Sequence, residues 1–175
     1  GFEQFSLSAG ESATFYAPDP VQNVFGQIVG GEAAYINGQL AIAGAPANLY
    51  LINPAGILFG PEARLSLPGQ FTASTASRVG FADGWLTAGS DPTHLTGAPQ
   101  QFVFADAASL VNLGDLSVTE GASIALLGGT VINRGRLSAP GGTVTVAATE
   151  SGTIRISPEG QLLSLMGNSP EADWH

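Results

Sequence analysis

Two stretches of this chain repeat each other at an offset of 21 residues. Residues 111–117 read Val-Asn-Leu-Gly-Asp-Leu-Ser, and residues 132–138 read Ile-Asn-Arg-Gly-Arg-Leu-Ser, so Asn, Gly, Leu and Ser recur in one order. A period of roughly 20 to 25 residues is typical of a solenoid, in which each repeat forms one coil stacked on the last. Leu116 is therefore predicted to lie directly beside Leu137.

Short runs in which apolar residues alternate with other residues recur along the chain. Four runs in the first half begin at residues 40, 49, 57 and 65, and Gly, Pro or Asn separates them. The second half carries five further runs, Leu116–Val118, Ile124–Leu126, Val144–Val146, Ile154–Ile156 and Leu163–Leu165. Alternation of this kind predicts short β-strands joined by tight corners. The 24 Gly and 11 Pro argue against long helices, because both residue types destabilise them.

These two patterns together predict an all-β fold, a right-handed parallel β-helix with a few strands or hairpins outside the helix. A β-sandwich would also show strands at a regular spacing, but it would not predict the repeat at 21 residues. With roughly 20 to 25 residues in each coil, the chain would form about seven or eight coils.

Three segments lack the regular spacing of short strands. Residues 83–101 look like an excursion from the helix, a hairpin that carries Trp85. Residues 105–113 are rich in Ala and predict a short helical turn. Residues 168–175 are polar and predict a flexible tail, so the single β-helical domain is expected to span residues 1–167.

Composition excludes several classes of function. The formal net charge is −9, with 14 acidic residues, five Arg and no Lys, so there is no basic stripe for a nucleic acid. The absence of Cys excludes disulfides, thiolate nucleophiles and zinc–thiolate sites. Residues 33–61 carry no charge, but their amides, Gly and Pro argue against a membrane span and predict no membrane insertion.

No constellation of catalytic residues is visible. The acidic residues are scattered, whereas glycoside hydrolysis needs two carboxylates that face each other. His94 is the one credible general base, and no G-x-S-x-G motif accompanies it. The pairs Gly128–Gly129 and Gly141–Gly142 precede strands without a following helix or Lys, so they indicate coil corners rather than phosphate loops. We expect no catalytic residue, no metal site and no cofactor.

The most informative segment joins two strongly apolar strands through Asn53-Pro54-Ala55-Gly56. Pro54 suits the second position of a β-turn and Gly56 the fourth, and the Asn53 side chain can bond back to the backbone. The segment therefore predicts a tight corner of one coil.

At this segment the chain resembles the TPS domain, the secretion domain at the N-terminus of filamentous haemagglutinin-like exoproteins of two-partner secretion systems. The hallmark of that family is N-P-N-G-I between apolar strands, and residues 53–57 match it except for Ala55 in place of the second Asn. Further ordered matches lie at residues 1–7, 23–28, 36–44 and 71–75. The resemblance covers about residues 1–85.

The chain departs from the family pattern at two places. The second Asn-Pro motif of the family, N-P-N-L, has no good copy, and residues 17–20 lie roughly where it would be. The first strands of the family, which cap the helix, would lie before Gly1. Without them the resemblance implies an uncapped first coil.

The resemblance implies an export signal rather than an enzyme. Such a domain is recognised in the periplasm by an outer-membrane β-barrel transporter of the TpsB type (Omp85-like), through the periplasmic POTRA domains of that transporter. It crosses, folds outside as a monomer, and templates the β-helix of a secreted or cell-surface exoprotein. We hypothesise that recognition lies in two segments whose residues are Asn23, Gln27, Ile28, Asn48, Asn53, Pro54, Ala55 and Gly56.

The competing interpretation is a carbohydrate-binding haemagglutinin or adhesin module that binds host or cell-surface glycans. Sugar sites need exposed aromatic rings beside amides. Trp85 in its hairpin is the best single candidate, and Tyr50 is the second.

Overall fold

The computed structural model describes residues 2–87 and 97–167, and every regular element within those residues is a β-strand. Fifteen of the strands form five coils with three strands each. In chain order the coils are β1 (Ser6–Leu7), β2 (Ser12–Ala17) and β3 (Asn23–Gln27); β4 (Ala34–Ile36), β5 (Gln39–Gly44) and β6 (Asn48–Ile52); β7 (Ile57–Phe59), β8 (Arg64–Ser66) and β9 (Phe71–Ser74); β13 (Ser109–Asn112), β14 (Asp115–Ser117) and β15 (Ile124–Gly128); and β16 (Thr130–Asn133), β17 (Arg136–Ser138) and β18 (Val144–Ala148).

Strands at the same position in successive coils pair in parallel and form three faces of the solenoid. The first face has the order β1-β4-β7-β13-β16, and the third has the order β3-β6-β9-β15-β18. The middle face consists of β2-β5-β8 and the pair β14-β17. Leu116 pairs with Leu137, so the stacking predicted from the repeat is confirmed.

The remaining five strands form an antiparallel sheet outside the solenoid. They are β10 (Arg78–Phe81), β11 (Gly84–Thr87), β12 (Gln101–Phe104), β19 (Gly152–Ile156) and β20 (Leu162–Gly167), in the order β11-β10-β12-β19-β20. We call this sheet the outer sheet. Trp85 does lie in a hairpin outside the helix, but the hairpin is formed by β10 and β11 over residues 78–87 rather than within residues 83–101.

Two expectations about the fold are wrong. The described part of the chain forms five coils rather than seven or eight, because the five strands of the outer sheet leave the helix and use residues that the estimate assigned to coils. No helical turn forms across residues 105–113, because Ser109–Asn112 pairs in parallel with β7 on one side and β16 on the other. Burial of Leu110 in the lumen outweighs the helical preference of the Ala residues. The predicted tail and His94 lie outside the described residues.

Two hydrophobic cores lie on opposite sides of the third face. The lumen of the solenoid is filled by stacked side chains, among them Leu49 and Leu51 of β6. The neighbouring side chains Tyr50 and Ile52 point the other way and pack beneath the outer sheet. Because the outer sheet covers the solenoid there, β6 is buried on both sides, although an ordinary solenoid strand would have one face in water.

The two ends of the lumen differ. The rings of Phe2, Phe5 and Phe15 lie within 6.2 Å of one another, centroid to centroid, at the N-terminal end. At the other end Val144 and Val146 of the fifth coil are 42% and 48% exposed, although their register partners in the fourth coil are fully buried. The fifth coil therefore leaves lumen-facing apolar side chains uncovered.

Register partners at this end offer a matched test of the lumen. Leu126 is fully buried and pairs with Val146. Leu126→Ala is expected to lower the free energy of unfolding by about 2–5 kcal/mol, because it leaves a cavity in a packed column. Val146→Ala is expected to cost about 1 kcal/mol or less, because water already reaches that side chain. Urea unfolding measures both, and equal losses would contradict the assignment of the two ends.

Candidate functional site

The corner predicted at residues 53–56 is a β-turn between β6 and β7. The Gly56 amide donates a hydrogen bond to the Asn53 carbonyl at 3.1 Å, which closes the turn. The Ala55 amide donates to Asn53 Oδ1 at 3.0 Å, so the side chain holds the turn from within. Both bonds match the geometry predicted from the sequence, with Pro54 at the second position.

Asn53 also ties three successive coils together. Its Nδ2 donates to the Glu32 carbonyl at 2.9 Å, in the corner before β4. Its backbone amide donates to the Ser74 carbonyl at 2.9 Å, at the end of β9 in the following coil. The Asn53 side chain has no exposed surface, so all of these hydrogen bonds lie inside the protein.

Gly56 occupies a position that a side chain could not enter without strain. Its φ angle is +121°, in the region that L residues rarely adopt. A Cβ atom built there would lie 3.3 Å from the Ser109 carbonyl oxygen and 3.5 Å from the Cβ atoms of Ala33 and Ala108. The corners before and after therefore pack closely against this turn on both sides.

A second polar cluster lies at the opposite end of β6. Asn23 and Asn48 are register partners, and Asn48 Nδ2 donates to Asn23 Oδ1 at 3.0 Å. Asn23 Nδ2 donates to the Gly97 carbonyl at 3.0 Å. Asn48 Oδ1 accepts the backbone amide of Gln70 at 2.9 Å. This ladder of amides links the first three coils to the segment that leads into β12.

Gln27 and Ile28 lie at the end of β3, where the solenoid meets the hairpin. Gln27 Nε2 donates to the Thr87 carbonyl at 2.7 Å, at the end of β11. The Ile28 side chain is fully buried in the lumen, and its amide donates to the Ile52 carbonyl at 2.9 Å. The Gln27 side chain is therefore a direct link between the solenoid and the outer sheet.

The structure thus brings the hypothesised recognition residues onto two paired strands and their ends. Asn23 pairs with Asn48, and Gln27 pairs with Ile52 immediately before the turn. The sequence analysis missed a second amide ladder, in which Asn112 Nδ2 donates to Asn133 Oδ1 at 2.9 Å. The repeat at 21 residues aligns those two Asn residues and could have revealed the ladder.

The two aromatic residues proposed for sugar binding have different surroundings. Trp85 is 42% exposed, and the Arg78 guanidinium carbon lies 4.5 Å from its ring centroid. Tyr50 is only 6% exposed and stacks on Phe25, with ring centroids 5.0 Å apart. The prediction that Tyr50 contacts a sugar is therefore wrong, because the outer sheet covers its ring. Burial raises the pKa of Tyr50 to about 12.

Two properties of the described residues bear on other functions. No helix within residues 2–87 and 97–167 is long and apolar enough to cross a membrane. The same residues contain no group of three or more His, Asp or Glu side chains placed to hold a metal ion.

The fold and the corner contacts define a parallel β-solenoid domain with an outer antiparallel sheet, in which buried amides join successive coils. The chain belongs to the family of TPS secretion domains, whose family model matches residues 1–169. The resemblance predicted from the sequence is confirmed. This is a family of secretion domains and not an enzyme family.

A solved structure supports the same assignment. The crystal structure of the HMW1 secretion domain from Haemophilus influenzae matches with a TM-score of 0.71 and 25% sequence identity, over 94% of this chain and 41% of that chain. This chain therefore spans about two fifths of the length of that chain. The comparison with curated proteins gives no match. In two-partner secretion a TpsB transporter recognises the TPS domain, and the exoprotein is exported across the outer membrane.

Replacement of Gly56 tests how tightly the corners pack. Gly56→Ala is expected to lower the free energy of unfolding by about 1–3 kcal/mol, through backbone strain and the new contact with Ser109. Gly121→Ala is the matched control, because φ there is +85° but a Cβ would meet nothing within 4 Å. Thermal or urea unfolding compares the two variants. A loss in Gly121→Ala as large as in Gly56→Ala would show that the corner is not crowded.

The raised pKa of Tyr50 predicts a loss of stability in alkali. Between the ordinary pKa of 10.0 and the folded pKa of about 12, the unfolded chain releases the phenolic proton and the folded chain keeps it. The stability present below pH 10 is therefore expected to fall by at most about 1.4 kcal/mol for each pH unit as the pH rises towards 12. Urea unfolding at several pH values measures the slope, which should be shallower for Tyr50→Phe. Equal slopes would contradict the burial of Tyr50.

Proposed function

We propose that this domain is an export signal read by the POTRA domains of its transporter before it folds, through residues 23–28 and 48–56. The observation that carries this proposal is the burial of Gln27, Ile28 and Asn53 within the two segments. In the folded domain Asn53 and Ile28 have no exposed surface, and the Gln27 side chain is 9% exposed. A partner could not contact these side chains unless the coils separated.

Recognition and folding therefore compete for the same polar groups. The amides of Asn23, Gln27, Asn48 and Asn53 bond within the folded domain to neighbouring coils or to the outer sheet. In an extended chain those amides and the backbone of both segments are free to pair with a sheet edge of a POTRA domain. When the chain folds outside the cell, the two segments become buried and leave the transporter. Folding therefore releases the chain and prevents its return to the periplasm.

The open end of the solenoid supports the second part of the proposal, that the folded domain templates further coils. Val144 and Val146 present uncovered apolar surface in the lumen column, and among the described strands β16, β17 and β18 each pair on one side only. A following coil would bury the valines and pair with these strands, as each described coil does with the last. At the opposite end the rings of Phe2, Phe5 and Phe15 pack together, and Phe2 is 39% exposed.

Secretion of a reporter fused to the domain tests recognition by the two segments. Gln27→Ala combined with Asn53→Ala is expected to reduce the secreted amount roughly tenfold in a strain that carries the cognate transporter, because hydrogen-bonding contacts to the POTRA domains are lost. Leu126→Ala is the control, because it destabilises the fold without touching either segment. If both variants reduce secretion equally, export depends on stability alone and the assignment of these residues is wrong.

Binding in solution tests whether the unfolded chain is the recognised form. A synthetic peptide covering residues 21–57 is expected to bind the purified POTRA domains more tightly than the folded domain does, and Gln27→Ala in the peptide should weaken that binding. Fluorescence anisotropy measures both affinities. Tighter binding by the folded domain would overturn the competition between recognition and folding.

A further inference from the structure

The face of the outer sheet that points away from the solenoid carries a continuous row of side chains. The register pairs Trp85 with Gly80, Gly80 with Gln101, and Gln101 with Arg155 across four adjacent strands. The alternate positions on the same strands, among them Leu86 and Phe102, are buried in the core beneath. The row therefore lies on the solvent-facing side of the outer sheet, because the side chains on the other side pack into the core.

Charge on this face has the opposite sign to the rest of the chain. The five strands of the outer sheet contain no Asp or Glu, yet they carry Arg78 and Arg155, two of the five Arg of the protein. Two of the 14 acidic residues lie in the turns of this sheet, Asp83 between β10 and β11 and Glu159 between β19 and β20. Within the described residues the Arg155 side chain has no hydrogen-bond or ion-pair partner. At physiological salt, fields beyond about 8 Å are largely screened, so Arg78 and Arg155 act on a ligand mainly by direct contact.

Gly80 lets two neighbouring side chains converge across the sheet. A Cβ atom built on Gly80 would lie 2.7 Å from Gln101 Cγ and 3.0 Å from Trp85 Cζ3. The Trp85 ring and the Gln101 side chain therefore occupy the space above Gly80. Stacking of Arg78 on Trp85 uses the face of its guanidinium and leaves the N–H groups at its edge available.

A cavity continues this row beyond Arg155. Its volume is about 310 Å³, which is at the small end of the range for small-molecule sites. The residues that define it are Ala82, Ala98, Arg155, Ser157, Pro158 and Leu163. Its walls are mostly apolar, and Arg155 is the one charged side chain among the described residues that line it. Apolar walls with one cation suit a ring that carries a carboxylate, such as a uronic acid residue.

We propose that this face binds an acidic polysaccharide whose carboxylates are spaced along the chain. One sugar occupies the cavity with its carboxylate on Arg155, Gln101 bonds to hydroxyl groups, and Arg78, held on Trp85, takes a second carboxylate. Arg78 and Arg155 are separated by two strand spacings across the sheet and by two residues along the strands, so their Cα atoms lie about 12 Å apart. A polymer can therefore contact both Arg residues at once. Two cations are too few for a nucleic acid, in which phosphates are densely spaced.

Titration of the folded domain with polygalacturonate tests the proposal without the transporter, so its outcome is separate from that of the export proposal. Neutral dextran and poly-L-glutamate are the comparison polymers, and calorimetry at low and physiological salt gives the affinities. Polygalacturonate is expected to bind, and dextran is not. Arg78→Gln with Arg155→Gln is expected to weaken binding at least about tenfold, because two charged contacts are lost.

The matched control is Arg134→Gln with Arg136→Gln, which removes the same charge from the fifth coil and should leave affinity within about twofold. Circular dichroism confirms that both double variants fold. Absence of polygalacturonate binding, or equal losses in both double variants, would overturn the site. If dextran binds as tightly as polygalacturonate, the two Arg side chains do not select the ligand and the proposal is overturned. Binding of poly-L-glutamate as tight as that of polygalacturonate would assign the face to an acidic protein segment and overturn the saccharide.

Discussion

Parallel pairing between successive coils holds the solenoid together. Each solenoid strand bonds its backbone groups to a neighbouring coil rather than to its neighbours in sequence. The corners continue the same pairing, since the Ala34 amide donates to the Gly56 carbonyl at 3.0 Å. Small or turn-forming residues at the corners keep the coils close enough for these bonds, and Gly56 shows how little space is left.

The same pairing explains how a domain without a catalytic constellation can act. Its polar side chains are used within the fold, where the amides of Asn48 and Asn53 join neighbouring coils. Those contacts exist only after the coils have stacked. The folded and extended chains therefore present different chemistry to a partner, and this difference is what an export signal needs if the transporter must bind it and later release it.

The outer sheet gives the third face of the solenoid a second core and gives the domain a second exposed surface. Tyr50 and Ile52 of β6 are buried beneath it, and Gln27 bonds to its edge at Thr87. Its solvent side carries Trp85 and two of the Arg residues, in a chain that is otherwise strongly acidic. The interior of the solenoid and this outer face can therefore serve different partners at different stages.

Sequence patterns alone were sufficient to predict the period of the coils, the pairing of Leu116 with Leu137, the turn at residues 53–56 and the family. Each of these is encoded by neighbouring residues or by one repeat interval, so local turn chemistry and side-chain alternation are sufficient to predict it. The tertiary structure decided the number of coils, the strand at residues 109–112 and the burial of Tyr50. Apolar and polar residues alternate in the same way in a strand that belongs to a coil and in a strand that leaves the helix. The outer sheet that covers Tyr50 is formed by strands between residues 78 and 167, which follow Tyr50 in the sequence. Only three-dimensional contacts distinguish these cases, because the energy that decides them comes from burial between segments distant in sequence.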